Sequence, residues 1–465
     1  MADRSRHDRS FHQRQRRKSI SQIPTEEEED EEAVNDAFWY VTPSDARASS
    51  STSARRFQSA QRKAAADNAH SNQAQDEKIT PATVFEDISK ESLIFSSEVE
   101  EKLPRFSFKD VNLGSFLGEG SFCSVHEIKG FKSATGSSFQ LQKGDNNELN
   151  NSSHHIIHGR EFMLTNYKRG GETRYAMKKM QGFGLSEEEE EDAIIDLAIE
   201  ARFLAVLAHP QIINLRGVGF EKEESWAQKG FFLVLDKLEG TLKTKLMDWK
   251  EHDVKLKKSL LATFMGSKKK KKNQFICERL GVAIDLSYGL SFLHSSNVIY
   301  RDMKPDNVGF DIKGDLKIFD FGLCREIKPK EIGKDGTYNL TGCVGAPRYM
   351  SPEVAFGKWY NTKADVFSFS ILLWEMVTLS GAFPGFSSEE CFENVSKKGL
   401  RPDIPAQLPQ SLHVLLNDCW SKTIIERWDF DTIAQGLIEV IKAFGGLGKC
   451  QPVEDKNGCV RMRWC

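Results

Sequence analysis

Leu117-Gly-Glu-Gly-Ser-Phe-Cys-Ser-Val125 sets two glycines two residues apart in a stretch of β character. Gly118 and Gly120 carry no Cβ, so backbone amides there can approach phosphate oxygens closely. The pair alone serves a plain hairpin turn equally well, and Cys123 stands where a third glycine would complete a GxGxxG pattern. Tyr175-Ala-Met-Lys178 adds a cation to the same chemistry. In a strand, Ala176 and Lys178 point to one face: a small side chain leaves room for a flat base, and the lysine reaches for phosphates. Lys179 points to the other face. A lone strand lysine is usually a solvated edge, so the case rests on its company. Glu200 lies three residues after Leu197 and four before Leu204, on the inward stripe of a helix. A carboxylate there needs a cation partner, and Lys178 is the obvious one.

The elements that position these residues begin after a change in composition near residue 105. Residues 1–105 are rich in Arg, Ser, Gln and acids, with few aliphatic side chains, and read as a disordered tail. Within it, Phe38-Trp39-Tyr40 is either a docking motif or an incidental cluster, and Arg16-Arg17-Lys18-Ser19 has the form of a basic-directed phosphorylation site. Residues 113–125 and 172–180 read as β segments, separated by a polar stretch too long for a hairpin and expected to be a surface insertion. Lys268–Lys272 reads as a solvated loop, Phe275–Leu293 as a helix, and the remainder as mostly helical.

Composition removes several classes of function. The chain has 465 residues, enough for one large or two modest domains. With 64 basic against 67 acidic side chains and a formal net charge of −3, it carries no nucleic-acid footprint. Met1 to Ser10 hold no signal-peptide core, and no stretch approaches the roughly 18 apolar residues of a membrane span. Nine cysteines, scattered without CxxC or zinc spacing, indicate reduced thiols in an intracellular protein.

Residues 300–322 are the most informative. Tyr300-Arg-Asp-Met-Lys-Pro-Asp-Asn307 is followed by Leu316-Lys-Ile-Phe-Asp-Phe-Gly322, and later by Ser351-Pro-Glu353. Taken in order with the glycine loop, Lys178 and Glu200, these motifs resemble the eukaryotic protein kinase family, of the serine/threonine type and closest to its tyrosine-kinase-like group, over about residues 106–445. The resemblance implies an α+β bilobal fold: a small, mainly antiparallel β lobe with one key helix (about 106–236), a larger, mostly helical lobe (about 237–445), and a short tail at 446–465. It also implies ATP and Mg²⁺ as cofactors, with transfer of the γ-phosphate to Ser/Thr hydroxyls of protein substrates; a pseudokinase scaffold is the alternative. Under it, Asp302 accepts or orients the hydroxyl proton, Lys304 neutralises the transferring phosphoryl group, and Asn307 and Asp320 are the oxygen ligands of the metal. Lys178 holds phosphates and pairs with Glu200, with Gly118, Gly120 and Phe122 in the loop above. Leu117, Val125 and Ala176 sandwich adenine, and the backbone of Asp236-Lys-Leu238 is the hinge, with Leu235 as gatekeeper.

The resemblance further implies pairing of Glu353 with Arg427, bracing of the catalytic loop by Asp365, and a stack of Leu204, Leu215, Tyr300 and Phe321. Arg301 is expected to answer a phosphate on Thr341, placed by an upstream kinase or by autophosphorylation, with Thr337 and Tyr338 as alternates. Four departures stand out: Cys123, Tyr300 for histidine, Ser370 for glycine, and Ala346 for threonine. The last removes a hydrogen bond next to Asp302 and Lys304.

Overall fold

The computed structural model describes residues 90, 92–120, 122–132, 151–181, 186–220, 230–258, 265–446, 450–454 and 460–464. The Arg16–Ser19 and Phe38–Tyr40 motifs lie outside these described residues.

The smaller lobe is built on a six-stranded sheet. Its strands are β1 (Arg105–Ser107), β2 (Val111–Glu119), β3 (Cys123–Phe131), β4 (Tyr175–Met180), β5 (Leu215–Phe220) and β6 (Phe232–Asp236), in the order β1-β5-β6-β4-β3-β2. Only β1 pairs in parallel, with β5; every other ladder is antiparallel. Register does the positioning: Val125 of β3 lies opposite Lys178, and Ala176 lies opposite Leu235 of β6.

Between β3 and β4, the polar stretch contains a helix, α2 (Asn151–Thr165). It is more than a surface insertion. Met163 is buried in the core over the far face of the sheet, and Arg160 reaches Asp110 at 2.9 Å. A preceding short helix, α1 (Ser97–Glu101), lies before the span assigned to the folded unit from composition.

Helix α3 (Glu187–Val206) starts at Ser186, whose hydroxyl and Glu189 form a capping box. The acidic run supplies its first turn, where negative charge complements the helix dipole. Its apolar stripe, including Leu197 and Leu204, enters the main core.

The larger lobe begins at β7 (Leu238–Thr241) and α4 (Leu242–Lys258), followed by the long α5 (Met265–Ser295). The lysine run belongs to α5 rather than to a loop. Lysine is a good helix former, and the run leads directly into residues anchored by Phe275, Leu280 and Leu290; Lys270 to Lys272 remain solvated. Strands β8 (Val298–Ile299), β9 (Val308–Asp311), β10 (Leu316–Ile318) and β11 (Arg325–Glu326) frame the catalytic segment, with β10-β9-β7 forming one sheet and β8-β11 another. Helices α6 (Lys363–Thr378), α7 (Gln410–Cys419) and α8 (Phe430–Ala443) complete the core. The stretch read as a short tail holds two paired strands, β12 (Cys450–Glu454) and β13 (Val460–Trp464), the second against α5. The expected architecture is therefore present: a mostly antiparallel sheet lobe on a helical lobe. One apolar cluster runs through both and includes Leu204, Tyr300 and Phe321, with Leu215 packed against it.

Candidate active site

Between the lobes, Lys178 Nζ donates to Glu200 Oε2 at 2.6 Å and to Asp320 Oδ1 at 2.9 Å. Strand β4 points Ala176 to the same face, where it is buried, while Lys179 turns away and stands 5.0 Å over the Phe108 ring. Burial works against the charge of Lys178, but Asp320 and Glu200 outweigh it and raise its pKa. Burial pushes Glu200 up, with Lys178 opposing and Asp320 reinforcing. Glu200 Oε1 is buried without a hydrogen-bond partner. One lysine between two carboxylates leaves the cluster net anionic, a poor arrangement in a low dielectric unless further positive charge arrives.

The catalytic segment is held from below. Asp365 accepts the backbone amides of Tyr300 at 2.9 Å and Arg301 at 2.8 Å, and contacts His294 Nε2 at 2.8 Å. The Tyr300 ring meets Phe321 edge-on, with centroids 5.5 Å apart, and its hydroxyl donates to Phe319 O. Arg301 and Asp320 adopt φ of 68° and 65°, a conformation costly for residues with a Cβ and one that gathers at functional sites.

Asp302 Oδ2 accepts from Lys304 Nζ and Asn307 Nδ2, both at 2.8 Å, and its backbone oxygen accepts from Asn307 Nδ2 at 3.0 Å. Burial lowers the Lys304 pKa, yet Asp302 outweighs it and the net shift is upward. Asp302 Oδ1 is buried with no partner. Gly345, at φ +89°, runs alongside: a Cβ there would come within 2.3 Å of Arg301 O and 3.6 Å of Asp302 Oδ1. The next residue, Ala346, has no hydroxyl to offer that oxygen.

Above the cleft, Gly120 N donates to Cys123 O at 2.8 Å and closes the turn between β2 and β3. A Cβ on Gly118 would meet nothing within 4 Å, and one on Gly120 only Cys123 O at 3.9 Å. Leu117 is 41% exposed at the cleft mouth, Val125 is half-buried, and Phe122 is buried. At the hinge, Arg216 grips the Asp236 carboxylate through Nε and Nη2, both at 2.7 Å, and Asn214 adds a bond at 2.8 Å. The Asp236 side chain is thus fully engaged, leaving only backbone groups for a base. Leu238 packs close to Gly309, where a Cβ would come within 2.6 Å of its Cδ1.

The donor set suits a hard cation. Asn307 has spent its Nδ2 on Asp302 and keeps a carbonyl oxygen to offer, and the Asp320 side chain is 33% exposed. Among the described residues no three or more His, Cys, Asp or Glu gather into a metal cage. Two protein oxygens, completed by phosphate oxygens and water, is the arrangement Mg²⁺ favours.

Further down, Arg301 donates Nε to Leu323 O at 2.7 Å and Nη1 to Tyr360 OH at 3.2 Å, while Tyr360 OH donates to Thr341 O at 2.7 Å. Arg427 holds Glu353 through Nη1 at 2.6 Å and Nη2 at 2.9 Å. Ser370 satisfies its buried hydroxyl on Phe367 O at 2.6 Å, so the exchange from glycine is absorbed within α6. Sequence reasoning missed Arg216 and gave no role to Glu375. The latter is fully buried, accepting from Tyr349 OH at 2.9 Å and Ala382 N at 2.8 Å. A carboxylate in the apolar run Ile371-Leu-Leu-Trp-Glu-Met was the available signal.

Two lobes thus meet at a lysine–carboxylate cluster and at a loop, residues 300–307, braced from below by Asp365. Residues 154–437 match the family model described as protein tyrosine and serine/threonine kinase. The chain belongs to this protein kinase family. It is 39% identical over 166 residues to the dual specificity protein kinase shkA of Dictyostelium discoideum, covering 35% of this chain and 31% of that one. It is 38% identical over 168 residues to the serine/threonine-protein kinase STY46 of Arabidopsis thaliana (36% and 28%). With the serine/threonine/tyrosine-protein kinase HT1 of the same plant it shares 37% over 164 residues (34% and 39%). The matched stretch thus spans well under half the length of these relatives. The glycine loop lies before the residues that the family model matches. Among the described residues no helix is long and apolar enough to cross a membrane.

Proposed function

We propose that the chain is an ATP- and Mg²⁺-dependent protein kinase that transfers the γ-phosphate of ATP to Ser/Thr hydroxyls of protein substrates. The observation that carries this reading is Lys178 bound at once to Glu200 and Asp320, which joins sheet, helix and metal-binding loop into one cleft. The net negative charge of that cluster is what a nucleotide-bound Mg²⁺ would relieve, held by Asn307 and Asp320. The bound metal supplies charge neutralisation at the phosphates. Lys178 orients the α and β phosphates, with Gly118 and Gly120 admitting them beneath the loop near Phe122. Leu117, Val125 and Ala176 enclose the adenine, and the Asp236–Leu238 backbone offers it hydrogen bonds. Asp302 orients the acceptor hydroxyl and takes its proton through the otherwise unpartnered Oδ1, while Lys304 balances charge on the transferring group.

Ser/Thr preference rests on Lys304 within Asp-Met-Lys-Pro-Asp-Asn. Because shkA and HT1 carry dual-specificity and tyrosine labels, acceptor type is itself a readout. Thr341 is the favoured activation site, modified by an upstream kinase or by the enzyme itself. Thr337 is buried with its hydroxyl on Asp335 at 2.6 Å, and Tyr338 is buried. An intracellular setting fits the free thiols of Cys123, Cys277, Cys324, Cys343, Cys391 and Cys419.

The test is the full chain with Mg²⁺ and labelled ATP beside Asp320→Asn, with acceptor residues mapped by mass spectrometry. Label on Ser or Thr that disappears in the variant supports the reading. Bound ATP with no transfer, even after Thr341→Glu, would make the chain a pseudokinase.

A further inference from the structure

Residues 92–104 precede the family-matched span of 154–437, yet they are fastened to two elements flanking the cleft. Ser92 Oγ donates to Glu326 Oε2 at 2.6 Å, and the Leu93 amide donates to Glu326 Oε1 at 2.8 Å, so one carboxylate takes both ends of this grip. The Phe95 ring meets Phe203 of α3 edge-on, with centroids 5.1 Å apart, and the Arg202 guanidinium stands over it at 5.6 Å. Glu100 of α1 pairs with Arg202 Nε at 3.0 Å, with the two side chains only 12% and 17% exposed. Val218 N donates to Pro104 O at 2.9 Å, anchoring the far end on the sheet. Ile94, Phe95 and Leu103 pack against the main core.

The geometry of α3 gives this grip its meaning. Glu200 faces Lys178; at 3.6 residues per turn, Arg202 points roughly 160° away, to the opposite side of the same helix, and Phe203 sits about 60° round from Glu200, at the edge of its inward face. The helix is therefore held between the cleft and the strap. Glu326 belongs to β11, which pairs with β8 immediately before Tyr300-Arg-Asp302. The strap thus spans from the helix bearing Glu200 to the strand beside the catalytic loop, through contacts that lie outside the cleft.

We propose that residues 92–104 are a positioning element for phosphoryl transfer. Phe95 and Glu100 seat α3 so that Glu200 meets Lys178, and Ser92 ties that seat to Glu326. This rests on the kinase reading above. The Glu100–Arg202 pair is largely desolvated, so removing one partner strands a charge and loosens the helix.

The full chain would be compared with Phe95→Ala, Glu100→Arg, Arg202→Glu, the double charge swap, and Ser92→Glu, which sets a second carboxylate against Glu326. Two readouts are needed: kcat and KM for ATP, and amide hydrogen exchange across residues 192–206. Each single variant should lower kcat by about tenfold and speed exchange in the helix, and the charge swap should recover most of both. A merely structural role would lower the unfolding midpoint and leave kcat per folded molecule intact. Native kcat and native exchange in the single variants would overturn the proposal. If neither the native chain nor Thr341→Glu transfers phosphate, the kinase reading falls, and the exchange pattern alone decides the strap.

Discussion

Two of the buried acid–base pairs among the described residues, Arg427–Glu353 and Lys178–Glu200, are completed to different degrees. Arg427 binds both oxygens of Glu353 and gives its other donors to Ser421 O at 2.9 Å and Lys363 O at 3.0 Å. Burial would raise the Glu353 pKa, but the hydrogen bonds and charge of Arg427 outweigh it and the net shift is downward. Lys178 binds a single oxygen of Glu200 and shares itself with Asp320, and burial leaves Glu200 shifted upward. A saturated pair has nothing left to bind and can only hold the fold. In the incomplete pair Glu200 has a single lysine contact and a minor pull from the Phe321 backbone amide, and the cluster keeps surplus negative charge, which is capacity for a cationic ligand.

The largest effect should come from breaking the saturated pair. Arg427→Ala strands Glu353 in the core and should cost about 3–5 kcal/mol of stability. Urea unfolding of the purified chain measures it; a loss under 1 kcal/mol would mean that Glu353 finds water or another donor. The incomplete pair should respond in the opposite sense. Glu200→Gln should reduce phosphate transfer by about 100-fold. It should leave the urea midpoint unchanged or slightly higher, since a buried surplus charge has gone. A variant that unfolds early while keeping its kcat would reverse the assignment of the two pairs.

What could be read in advance divides along the same line as these pairs. The glycine loop, Tyr175–Lys178 and residues 300–322 are short contiguous stretches whose spacing is fixed by local geometry, so their place around one cleft was legible in the sequence. Glu200 was visible because its helix stripe is regular. The strap was not: Phe95 and Phe203, or Glu100 and Arg202, lie about a hundred residues apart, and neither periodicity nor composition links them. Helix α2 was hidden by its polar surface, with Met163 its buried anchor. The lysine run reads as a loop if its charge is set above its helix propensity, and the helix propensity prevails. Strands β12 and β13 do leave a sign: Asn457-Gly458 lies between them in the sequence, a strong hairpin signal.

Ala346 sharpens the comparison inside the cleft. Asp302 is itself half-finished, with Oδ2 doubly bonded and Oδ1 bare. Ala346→Thr would offer a hydroxyl beside it and should raise kcat about tenfold by fixing the carboxylate more firmly. Steady-state kinetics at saturating ATP is the check. An unchanged kcat would mean that Lys304 and Asn307 already orient Asp302 fully.

Glu375 gives the finest test, because it is a buried acid satisfied by neutral donors alone. Burial pushes its carboxyl from 4.5 up to about 7, with the Ala382 amide, Tyr349 hydroxyl and Arg348 only partly opposing. The folded chain therefore binds a proton there that the unfolded chain has released. That contribution to stability is complete below about pH 4.5 and is lost as pH rises through about 7. Between pH 6 and 7 native stability should fall by up to about 1 kcal/mol on this account. Glu375→Gln should remove this part of the slope, because Tyr349's hydroxyl can turn to accept from the new amide. Urea midpoints for both proteins at pH 5, 6, 7 and 8 decide the matter. Parallel curves would show that the acid is charged throughout, making Tyr349 and the Ala382 amide as effective a counterweight to burial as Arg427 is for Glu353.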